Sequence, residues 1–117
     1  MKNLILALSV VLLVPAFAHA KCDVVTVGWA KGMASKAQES FDRGVATKWA
    51  VLMAQATSLD AQECGGEISQ ALYCAKKSAL LSELIGITND RVTAGAGSQA
   101  DLSYVMGQSI DLGRRCQ

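Results

Sequence analysis

Apolar positions along this chain fall into one unbroken N-terminal run and four later segments in which they recur every third or fourth residue. In the first segment Ala30, Met33, Ala34, Ala37 and Phe41 share the i, i+3, i+4, i+7 spacing of one helix face, and Arg43-Gly44 ends it. Val24 to Val27 ahead of it are β-branched, but no second strand-like run exists to pair with them, so Val24 to Trp29 reads as helix or irregular chain. The second segment places Val45, Trp49, Leu52, Met53 and Ala56 on one face, with a break expected at Ser58-Leu59-Asp60. Asp60 and Glu63 would cap a short turn there before Gly65-Gly66. A third stripe runs through Ile68, Ala71, Leu72, Ala75, Leu81, Leu84 and Ile85 to a stop at Gly86. A fourth begins at Ser98-x-x-Asp101 and carries Leu102, Val105, Met106 and Ile110, with Arg114 and Arg115 suiting the negative end of its dipole. Ile87 to Gly97 lacks periodicity and reads as the longest loop.

Four helices joined by mostly short links imply an all-α fold, a small up-down four-helix bundle. Tracing the chain up and down puts Cys22, Cys64 and Cys116 at one pole, and Cys74 about 10 Å above Glu67 on the same side. An even number of cysteines in a short exported chain reads as a disulfide framework, so all four are expected to form two disulfides stapling the chain ends to the base. Three pairings stay open, although Cys64 and Cys74 could not pair within one unbroken helix, where about 15 Å would separate them against a limit near 7 Å. Gly28-x-x-x-Gly32 and the many alanines read as close helix packing. No internal repeat is evident.

The N-terminal run changes the compositional picture. Residues 1–20 combine Lys2, an apolar stretch from Leu4 to Val14, and Ala18-His19-Ala20, the layout of a secretory signal peptide cleaved after Ala20. The apolar stretch is about half the ~20 residues that a spanning helix needs, so no stable membrane insertion is expected after cleavage. This segment also accounts for much of the 51% hydrophobic share and the mean hydropathy of +0.28. The remainder, 21–117, is read as a single disulfide-stabilised helical domain. It has neither histidine nor proline, and its ten basic residues balance ten acidic ones, which gives no surface bias toward nucleic acid. The short signal and the lack of an N-x-S/T sequon after it favour export to a bacterial periplasm over other secretory routes.

Catalytic constellations are sparse. With no histidine the usual general base is missing, and no serine is followed three residues later by lysine. The carboxylate pairs Glu63/Glu67 and Glu39/Asp42 read as solvated helix faces rather than a glycosidase dyad. No C-x-x-C occurs, which argues against both redox chemistry and zinc. Gly95-x-Gly97-x-x-Ala100 mimics a dinucleotide fingerprint but has no strand ahead of it and reads as a flexible hinge or a cap. Lys76-Lys77 and Arg114-Arg115 are isolated pairs. No cofactor or metal is expected.

These exclusions leave an exported module that binds another envelope or secreted protein, as an inhibitor, an immunity factor or an accessory component of an envelope assembly. A helical chaperone or small-ligand carrier is the alternative, and a hydrolase using carboxylates alone is remote. Two surfaces are candidates for the partner. Asn89, Asp90 and Arg91 form a charged tip in the expected loop, opposite the disulfides. Trp29 lies off the apolar row of the first helix and reads either as core or as an exposed indole that would serve as an anchor, whereas Trp49 sits on a strong apolar stripe and is expected in the core.

Overall fold

The protein is described here by a computed structural model covering residues 22–117, so the expected signal peptide lies outside the described residues. Four helices follow one another: α1 (Val24–Asp42), α2 (Lys48–Cys64), α3 (Gln70–Thr93) and α4 (Gln99–Arg115). Each starts at a side-chain cap. Asp23, Thr47, Ser69 and Ser98 accept the backbone N–H of Thr26, Ala50, Leu72 and Asp101 respectively, and Asp101 returns the bond to the Ser98 N–H in a reciprocal box.

The three links share one construction, which the sequence reading did not register. Each runs helix end, glycine at positive φ, two residues, then Ser or Thr: Arg43-Gly44-Val45-Ala46-Thr47, Gly65-Gly66-Glu67-Ile68-Ser69 and Ala94-Gly95-Ala96-Gly97-Ser98. Gly44, Gly66 and Gly95 take φ of 77°, 77° and 78°, a region open to glycine at no steric cost. Their N–H groups donate to Phe41, Glu63 and Val92, and the next residues donate to Ser40, Gln62 and Arg91, which satisfies the last carbonyls of each helix. Gly95 is therefore a helix cap, one of the two roles its sequence context allowed.

The disulfides pair Cys22 with Cys64 and Cys74 with Cys116, at Cα separations of 5.5 and 6.0 Å, each closing a span of 42 residues. Each bridges the open end of one helical hairpin, α1/α2 or α3/α4, and all four cysteines share the expected pole. A loop of that length corresponds to roughly 4 kcal/mol of unfolded-state entropy per bridge.

The helices pack in sequence order, α1 on α2, α2 on α3 and α3 on α4. The main apolar cluster joins Leu52 and Leu59 of α2, Tyr73, Leu81 and Leu84 of α3, and Val105 and Leu112 of α4. From α1 only Val27 and Ala30 are buried, so it is an edge helix, held to α2 by small residues and by its disulfide. Val27 lies on Gly65, where an added β-carbon would stand 2.6 Å from its Cγ2.

Several expectations are corrected. Helix α2 runs through Ser58-Leu59-Asp60, with Ser58 and Leu59 buried, and it begins after Val45, which is an exposed turn residue. Helix α3 passes Gly86 without stopping, so Ile87 to Thr93 is helical and the true link is short. Its buried face is Tyr73, Lys77, Leu81, Leu84 and Thr88, whereas Ala71, Leu72 and Ala75 are exposed. Gly28 and Gly32 do not pack within the chain, because a β-carbon at either would meet nothing within 4 Å.

Candidate functional site

Three surface features combine unusual chemistry with access. The first is the outer face of α1. Val27, Ala30 and the half-buried Ala34 and Ala37 turn toward α2, and the opposite side carries Val25, Trp29 and Met33, which are 79%, 67% and 48% exposed. Spaced by four residues, they form one row along the helix, with Gly28 and Gly32 beside them and Lys36 in line beyond. A row of large apolar side chains on a solvent-facing helix runs against burial preference and marks a candidate contact surface. Trp29 is thus off the core and accessible, the outcome that the sequence weighed against burial.

The second feature is an open groove of about 490 Å³ above α2. Leu52 and Leu59 floor it, Leu80 flanks them from α3, and Gln55, Gln62, Lys76 and Glu83 bring polar groups to it. It exists because serial packing leaves one side of α2 between α1 and α3 uncovered.

The third is a polar cluster beside the Cys74–Cys116 bridge, which the sequence reading missed. Lys77 is almost fully buried, and its ammonium pairs with Asp60 of α2. The same Asp60 oxygen accepts the Tyr73 hydroxyl at 2.6 Å. Burial, reinforced by that hydrogen bond, pushes the Tyr73 phenol well above its ordinary range. The Arg115 guanidinium lies 4.9 Å from the Tyr73 ring centroid and pairs with Glu63. Three helices are tied together here by charge, and every buried side-chain polar atom among the described residues has a partner. The signal was Lys77 itself, spaced four residues after Tyr73 and four before Leu81. A charged residue on an apolar face reads as polar when the face is assigned by residue type, and the stripe was shifted accordingly.

The proposed tip is helical rather than part of a loop. Asn89 and Asp90 are exposed on the last turns of α3, and Arg91 is engaged within the fold. Its guanidinium stacks 4.7 Å from the Trp49 ring centroid and donates to the Ala96 carbonyl. Trp49 in turn donates through Nε1 to Thr88 Oγ1 at 3.1 Å, and Thr88 donates to the Leu84 carbonyl. Trp49 is half-buried against the core, close to expectation. The structure therefore separates Trp29, on the outer face of α1, from Asn89, Asp90 and Arg91 at the far end of α3.

Other candidate chemistry is spent on structure. Glu63 pairs with Arg115, and Glu67 pairs with Lys31 at 3.0 Å. Among the described residues there is no free cysteine and no group of three metal-ligating acids, histidines or cysteines. No described helix is long and apolar enough to cross a membrane, and two disulfides fit a non-cytoplasmic, oxidising compartment. No known family matches the chain, and no curated protein or solved structure is significantly similar to it.

Proposed function

We propose that the protein is an exported, non-catalytic protein-binding module of the bacterial periplasm that docks its partner on the outer face of α1, with Trp29 as anchor. The observation that carries this reading is the exposed row Val25, Trp29 and Met33 on an edge helix locked to its hairpin by Cys22–Cys64. A tryptophan on a rigid element loses little entropy on docking and brings a large apolar area, as binding hot spots do. The partner is another envelope or secreted protein. The test is capture from envelope extract by the oxidised mature protein and by its Trp29→Ala variant. Capture of one partner by the first, lost in a folded second, supports the reading. Equal capture by both overturns it.

A second reading, a carrier of small apolar ligands, is favoured by the groove over α2. It predicts strong binding of an environment-sensitive apolar dye that is lost on filling the groove with Ala79→Leu. Under the first reading, dye binding is weak and follows Trp29 instead.

A further inference from the structure

We propose that the groove over α2 holds a short linear peptide of about three residues with free termini. This deepens the second reading, since it rests on the groove being a ligand site, and it exchanges an apolar ligand for a zwitterionic one. Polar groups along the groove stand in two matched pairs. The Asp60–Lys77 ion pair and the Trp49–Thr88 hydrogen bond set the antiparallel register of α2 on α3. That register brings Gln62 level with Lys76 near the disulfide pole, and Gln55 level with Glu83 further along. Within each helix the two positions are seven residues apart, which puts the pairs about 10 Å from one another. Between them the floor is Leu52 and Leu59, and the small side chain of Ala79 keeps the space open. At about 490 Å³ the groove falls in the range of small-molecule clefts, about 300–1,000 Å³.

The charges at the two ends are opposite and largely uncommitted. Lys76 makes no ion pair among the described residues, and Glu83 has only Lys48, at 4.0 Å and beyond hydrogen-bond distance. Both glutamines are oriented from inside the fold: Gln62 donates through Nε2 to Ser58 Oγ at 2.9 Å, and Gln55 through Nε2 to Gln38 Oε1 at 3.5 Å. Each keeps its Oε1 without a donor among the described residues, an acceptor for a ligand N–H. An extended chain covers about 3.3–3.6 Å per residue, so the terminal charges of a tripeptide stand about 10 Å apart and match the two pairs. Its ammonium then meets Glu83 and the Gln55 Oε1, its carboxylate meets Lys76, and the last peptide N–H meets the Gln62 Oε1. The central side chain lies on Leu52 and Leu59. A fatty acid would satisfy Lys76 but set its alkyl chain against Glu83 and both amides, and a diamine would be repelled at Lys76. A ligand with both charges and amides between them answers all four groups.

A chemical-shift titration of the oxidised, isotope-labelled mature protein with the free tripeptide Ala-Leu-Ala tests the proposal. The expected result is saturable shifts centred on Gln55, Leu59, Lys76 and Glu83, with a dissociation constant raised about tenfold by acetylating the amino end or amidating the carboxyl end. The blocked forms also stand for a stretch inside a longer protein chain, so equal binding of all forms overturns a site built for free termini. Lys76→Glu and Glu83→Lys, at exposed positions whose replacement leaves the fold intact, should each abolish binding. The double variant should restore it, with the peptide lying in the reverse direction. Binding that survives either single reversal overturns the proposal, as does the absence of shifts at several millimolar peptide. An environment-sensitive apolar dye separates the two failures. Dye held in the groove without peptide binding sinks this inference alone, whereas a groove that takes neither sinks the second reading with it.

Discussion

Replacing Asp60 by alanine should be among the most damaging single changes in the protein, even though Asp60 itself is half exposed. Its carboxylate is the ion-pair partner of a Lys77 side chain only 5% exposed, and it also accepts the Tyr73 hydroxyl. Removing it leaves an ammonium and a phenol without their acceptor between three helices. Breaking a buried pair by deleting one partner costs about 3–5 kcal/mol, a large share of the roughly 5–15 kcal/mol available to a domain. Adding Lys77→Met removes the orphaned charge and keeps much of the packing. The double variant should then recover most of the loss and retain about 1 kcal/mol, the share of the unpaired Tyr73 hydroxyl. Urea unfolding followed by circular dichroism, on wild type, both single variants and the double variant, measures the coupling directly. If Asp60→Ala lies within 1 kcal/mol of wild type, or if Lys77→Met does not rescue it, then Lys77 is hydrated in solution and the cluster does not join the helices as described.

Three further outcomes follow from the packing. Gly65→Ala should destabilise by about 1–3 kcal/mol through its clash with Val27 Cγ2, and by clearly less in a Val27→Ala background; equal costs in urea titrations of both would contradict the close approach. Arg91→Ala should cost about 1 kcal/mol by exposing the Trp49 ring, whereas the exposed Asp90→Ala stays within about 0.5 kcal/mol, and indistinguishable unfolding midpoints would reject the stacking. Because the folded Tyr73 phenol titrates above its unfolded value near 10, its contribution is complete below that pH and is lost as pH climbs through the folded pKa. Wild type should accordingly lose more stability than Tyr73→Phe between pH 9 and pH 11.5, and parallel losses would disprove the assignment.

Much of the architecture was legible because the signals were local. The Ser98/Asp101 box and the basic end of α4 follow from spacing along one or two turns, and the common pole of the cysteines from tracing the chain up and down. The errors share a physical cause, which is tertiary context overriding local pattern. Asp60 looked like part of a helix break, and Lys77 like half of an isolated basic pair, whereas each finds its partner on a neighbouring helix. Asn89-Asp90-Arg91 looked like a loop tip because polar residues crowd the end of α3. Arg91 is instead held there by an aromatic ring on α2. Gly28 and Gly32 have helix-packing spacing, but nothing in the spacing says whether the facing helix lies within the chain. Tyr73 and Lys77 could have been found by noticing that a lysine sits four residues from an aromatic on one side and a leucine on the other, whereas nothing local marks Asp60 as their partner.

Serial packing also explains why the edge helix matters. A closed bundle would cover both sides of every helix, whereas α1 here packs mainly on α2 and keeps an apolar row in solvent. The Cys22–Cys64 bridge ties the start of α1 to the end of α2, so the row lies beside a covalent staple.

The claim that α1 presents the working surface is tested most directly by placing a photo-activatable phenylalanine analogue at position 29 in the producing cell, with the same analogue at the exposed Ser78 on α3 as reference. The account predicts adducts from position 29 with another envelope or secreted protein, and none from position 78. Adducts from position 78 with none from position 29, in a protein whose disulfides are intact, would contradict it.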